Sequence, residues 1–75
     1  MTAPETAALG QAVRELRAER GLSQEALAQA SELHPTYLSG IERGARNPTW
    51  RTLGRLCDAL GVELSELVRR AEAID

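Results

Sequence analysis

Few side chains in this 75-residue sequence could take part in a reaction, and their spacing does not suit one. There is one cysteine, Cys57, and one histidine, His34. They fall on different predicted helices, which leaves no nucleophile–base pair and no metal-ligand cluster. Catalysis, a metal and a cofactor are therefore not expected. What remains is recognition chemistry. Gln24, His34, Thr36, Tyr37, Ser39 and Asn47 supply hydrogen-bond donors and acceptors, while Arg43 and Arg46 supply fixed forked cations.

The segment from Leu22 to Pro48 must position these groups. Ser23 can cap a helix over about Gln24–Ala30, with Leu27, Ala28 and Ala30 turned inward. His34-Pro35 opens a second helix, because proline suits a first turn and pushes the residue before it out of the helical region. Tyr37, Leu38 and Ile41 recur at helical spacing, and Gly44 stops the helix after Arg43. A short helix set across another by a tight turn is a geometry that enters a DNA major groove.

These residues carry a family resemblance. LSQ at Leu22–Gln24, LA at Leu27-Ala28, TYLSGIERG at Thr36–Gly44 and RNP at Arg46–Pro48 resemble the helix-turn-helix of the Cro and phage-repressor (XRE) family. The run TYLSGIERGARN is similar to small controller proteins of restriction–modification systems. The likeness extends from Leu9 to Leu67 and implies an all-α, five-helix, lambda-repressor-like fold. Double-stranded DNA is the implied partner.

The resemblance also implies roles. His34, Thr36, Ser39 and Gly40 sit where relatives meet base edges. Thr36 could bond a base or touch a thymine methyl, and His34 could donate to guanine or accept from adenine. His34 could equally be only a helix cap. Gln24 stands where the family contacts the DNA backbone. Tyr37 itself could set its ring on the core and its hydroxyl on a phosphate, or be a purely structural ring. Arg43, Arg46 and Asn47 stand at a backbone clamp, or in a solvated loop. Arg17 and Glu42 match a family pair joining the first and third helices. Pro35 and Gly40 replace long polar residues, which weakens base reading. Glu32 occupies a turn position usually held by left-handed glycine, so that turn is either strained or different.

The rest of the chain frames this segment. Residues 1–5 read as a loose tail and 6–75 as a single domain, too short for a separate ligand-binding unit; no small-molecule ligand is expected. Helix one is expected over Thr6–Arg20 with Leu9, Val13 and Leu16 inward. Helix four begins after a Thr49 cap and carries Leu53, Leu56, Cys57 and Leu60. Cys57 reads as a buried thiol. Helix five, from Leu64 or Ser65 to Ala73, carries a stripe whose distal part is either a frayed tail or a homodimer seam. Leu67, Val68 and Ala71 are the seam candidates, with Trp50 as a neighbour.

Formal net charge is −2, weakly acidic for a nucleic-acid binder. Arg43, Arg46, Arg51 and Arg55 nonetheless follow one another with no acid between them. No membrane-length apolar run or secretory segment occurs, which predicts a soluble cytoplasmic protein. Two readings result: a homodimeric DNA-binding regulator, or a protein-interaction module on the same fold with little DNA binding.

Overall fold

The structure, a computed structural model, describes residues 4–74. The first three residues of the expected tail, and residue 75, lie outside it. Five helices follow in order: α1 Thr6–Glu19, α2 Gln24–Ser31, α3 Pro35–Glu42, α4 Trp50–Leu60 and α5 Leu64–Ile74. Among the described residues there is no strand. The all-α, five-helix expectation holds, with boundaries within one or two residues.

Local chemistry explains where the helices start. The Ser23 hydroxyl accepts from the Ala26 N–H at 3.0 Å, and Thr49 accepts from the Thr52 N–H at 3.1 Å. His34 does the same for α3, its Nδ1 accepting from the Thr36 N–H at 3.1 Å, with Pro35 in the first turn. Helix ends reuse one device. After α1, α3 and α4 the chain turns through Gly21, Gly44 and Gly61 in the left-handed region. Each turn is closed by paired backbone bonds such as Leu22 N–H to Arg17 C=O and Gly21 N–H to Ala18 C=O. After α2 the same closure falls on Glu32, at φ 59°. The left-handed alternative for Glu32 is thus the one adopted. Leu33, the next residue, bonds back to Ala28 at 2.8 Å and packs on the core.

One core joins the helices. Val13, Leu16, Leu27, Leu38, Ile41, Leu56, Leu60 and Leu67 are fully enclosed. Cys57 is buried among them, and desolvation raises its thiol pKa, with Asp58, Glu63 and Glu66 adding to the rise. Helix α1 packs on both α3 and α5, and α2 on α3 and α4. Ala30, expected inward, is exposed. Ser31 takes the buried place and satisfies its hydroxyl by donating to Leu27 C=O at 2.6 Å, carrying α2 one residue further.

The α1–α3 crossing depends on Gly10. A methyl group there would sit 2.1 Å from the Ile41 carbonyl oxygen and 2.8 Å from that of Glu42. Gly44 repeats the close approach against Ala7, and Thr6 Oγ donates to Gly44 C=O at 3.3 Å. The far side of α1 is tied to α5: Arg70 donates to Glu19, through Nη2 at 3.0 Å and through Nη1, and to Glu15 at 3.4 Å. Arg20 Nε satisfies Leu60 C=O at the end of α4, at 2.9 Å.

Candidate nucleic-acid interface

Glu42 is the anchor of the helix-turn-helix. Its side chain is only 1% exposed. It accepts from Arg17 Nε at 2.7 Å, Arg17 Nη2 at 3.0 Å and Gln24 Nε2 at 2.9 Å. Arg17 also donates to Leu22 C=O at 2.9 Å. One carboxylate therefore fastens α1, the start of α2 and the end of α3 together. The hydrogen bond from Arg17 to Glu42 raises the arginine pKa further above its ordinary value, against the opposing pull of burial. Pairing with three donors is what permits a carboxylate in so enclosed a place.

Gln24 is half-buried, with one amide hydrogen on Glu42. An amide carries two donors, so the second remains for a partner outside. This bond also orients the side chain, because a carboxylate takes the NH2 and not the carbonyl.

The start of α3 is an open edge. His34, Pro35 and Thr36 are all exposed. Because His34 Nδ1 accepts the Thr36 N–H, a neutral ring carries its proton on Nε2. The cap role and an outward donor thus coexist on one ring. Ser39 is partly buried and accepts a long bond, 3.4 Å, from Arg43 Nε. Arg43, Arg46 and Asn47 are exposed, as are Arg51 and Arg55 on α4.

Two expectations need correction. Gly40, expected on the outward reading face, is buried. The stem of Arg46 lies over it, and the Arg46 guanidinium carbon stands 6.0 Å from the centre of the Tyr37 ring. Gly40 has no side chain to offer a base, and its place is already covered. Leu67 and Ala71, expected in a dimer seam, are fully enclosed in the core of the single chain. The α5 stripe is spent there on α1 and its neighbours. Val68 is half-buried, and Trp50 is 77% exposed, the one large apolar side chain left fully outside among the described residues.

The sequence reading missed Gly10, Arg20 and Arg70. Glycine inside a predicted helix does signal close backbone approach, but nothing local says to what. Arg20 and Arg70 read as ordinary surface charge. Their partners are 40 to 55 positions away.

Residues 8–71 match the family model described as a helix-turn-helix domain. The chain belongs to the helix-turn-helix family. It is 53% identical over 53 residues to an uncharacterised helix-turn-helix-type transcriptional regulator of Sinorhizobium fredii, over 71% of this chain and 69% of that one. Its fold matches the restriction–modification controller protein C.AhdI of Aeromonas hydrophila. The TM-score is 0.81 at 45% identity, covering 83% of this chain and 94% of the other. It also matches C.Esp1396I bound to a 19 base pair DNA duplex, with TM-score 0.83, 32% identity and 91% of each chain covered. The resemblance to repressor-type and controller helix-turn-helix proteins holds. These relatives are described as a transcriptional regulator and as controller proteins, one of them bound to DNA. Among the described residues, no helix is long and apolar enough to cross a membrane.

Proposed function

We propose that this helix-turn-helix protein is a sequence-specific transcriptional regulator, acting as a homodimer on a near-palindromic operator in the cytoplasm. The open edge His34-Pro35-Thr36 at the start of α3 is the observation that carries the reading. It is left uncovered, while Glu42 ties the far end of the same helix to α1 and α2. Helix α3 enters the major groove with Thr36, Ser39 and the His34 Nε2–H toward base edges. Gln24, Arg43, Arg46 and Asn47 take phosphates on either side, where contacts position but do not specify.

Pairing follows from reach. An eight-residue helix is about 12 Å long and covers only a few base pairs. The 19 base pair duplex bound by C.Esp1396I is nearly two turns of B-DNA, enough for two such helices. Trp50 and Val68 are the apolar groups this chain offers to a second copy, and two copies raise the effective concentration at the second half-site.

Selection of duplexes from a random pool tests the proposal. The selected site should carry two related halves roughly 10 base pairs apart, or a multiple of that. Sedimentation at micromolar concentration should give a dimer, and Val68→Glu should give a monomer with weaker binding. A chain that prefers no selected duplex over a scrambled one would instead be a protein-interaction module on the same fold.

A further inference from the structure

We propose that Gly40 is a positioning residue for DNA-backbone binding: its missing side chain makes a seat that lays Arg46 across α3 and against Tyr37. This rests on the DNA-binding reading above. Tyr37 and Gly40 are three residues apart on α3, so they share one helix face. Three observations place Arg46 there. The Ala45 and Arg46 N–H groups both donate to Gly40 C=O, at 2.8 and 3.2 Å, pinning the backbone of the loop to the helix end. A methyl group on Gly40 would have only Arg46 atoms as its three nearest neighbours, with Cγ at 2.6 Å, Cβ at 3.6 Å and Cδ at 3.8 Å. The guanidinium then reaches the face of Tyr37, at the outer range of a cation–π contact.

The consequence is geometric. Cγ is one bond from the root of the side chain, so it cannot clear a new methyl by bending at its tip. The whole side chain must rotate about its first torsion, and that swings the guanidinium away from Tyr37. The seat thus holds a long, entropically costly cation ready beside the reading edge, on the Tyr37 flank. A fixed cation on the flank of a reading helix meets phosphate and not a base. Ordering Arg46 before binding lowers the entropy lost when it binds. Gly40 therefore gives up a base contact of its own and strengthens a backbone contact made by Arg46.

Gly40→Ala, Arg46→Ala and the double variant test this. Alanine favours a helix interior over glycine, and nothing of the core lies nearest the new methyl, so Gly40→Ala should melt at or above the wild-type temperature. In the DNA-free protein, the ring-current shift that Tyr37 imposes on the Arg46 δ protons should vanish in Gly40→Ala. The plot of log affinity against log salt should lose about one unit of slope in either single variant. The double variant should lose no more than Arg46→Ala alone. Gly40→Ala with wild-type shifts and slope, an additive double variant, or a Gly40→Ala chain that fails to fold would each overturn the assignment. If the wild-type chain binds no duplex, the DNA reading fails separately, and the Arg46 proton shifts still decide whether the seat exists.

Discussion

Arg17 and Glu42, 25 positions apart, meet through two parallel guanidinium–carboxylate hydrogen bonds of 2.7 and 3.0 Å. Both side chains are largely out of water, the carboxylate almost completely. Removing either partner strands a charge, which costs on the order of 3–5 kcal/mol when the site is buried. Arg17→Ala should cost more than Glu42→Ala. It leaves the enclosed anion with only Gln24, whereas the freed arginine still has Leu22 C=O and some water. Urea unfolding of both variants checks this; two losses below about 1 kcal/mol would contradict it.

Gly10→Ala should be among the most damaging single-methyl additions in the chain. The added carbon meets backbone oxygens of Ile41 and Glu42, which cannot rotate aside. Overpacking typically costs ~1–3 kcal/mol, and a rigid neighbour puts this site at the upper end or beyond. Gly54→Ala, with open space around it, is the control and should be neutral or stabilising. Thermal melts that fail to separate the two would count against the crossing described.

Glu32→Gly should stabilise the protein. Glu32 holds the left-handed conformation that α1, α3 and α4 assign to glycine. Relief of that strain is worth about 1–2 kcal/mol, reduced by the extra freedom glycine has when unfolded. A net gain of roughly 0.5–1 kcal/mol is expected, visible as a rise of several degrees in melting temperature.

The Arg70 link between α5 and α1 should show in acid. Its hydrogen bond holds the Glu19 carboxyl below the usual carboxylate range; desolvation opposes this, while the charges of Arg70 and Arg20 reinforce it. A lowered folded-state pKa gives stability that is complete above the unfolded value, ~4.3, and lost as pH falls through the lower folded one. The stability difference between wild type and Arg70→Met should therefore be constant near neutrality and shrink below about pH 4.3. A difference that grows with acidity would refute the pairing.

His34 and Thr36 should alter base preference and not overall affinity. With Nδ1 engaged, a free-state nitrogen-15 spectrum should place the imidazole proton on Nε2. Thr36→Ala should change preference at one base pair, by ~1–3 kcal/mol at most. His34→Asn keeps a capping acceptor but loses reach. It should melt like the wild type and lose discrimination at one position in a binding-site selection.

Helix starts and stops were legible because caps are local: Ser23, Thr49, Pro35 and the glycines each act within a few residues. Periodicity also found most of the core. It could not say which neighbour covers an apolar stripe, so Leu67 and Ala71 looked available when α1 and the core already enclose them. The candidate site was legible as residue types, not as contacts. Gln24 half-turned onto Glu42, and Gly40 covered by Arg46, depend on a carboxylate and a loop that approach only after folding.

Helix α1 acts as a rigid spacer. Gly10 lets α3 rest on one side of it without a cushioning side chain, and Arg70 tethers α5 to the other. In the proposed dimer, with Val68 of α5 at the contact between copies, the separation of the two reading edges is then set by stiff parts. Such a dimer would sense the spacing of its half-sites along DNA. One added base pair between half-sites would turn the second edge by roughly 35° about the duplex axis, so the close α1–α3 approach at Gly10 predicts weaker binding to a site so lengthened.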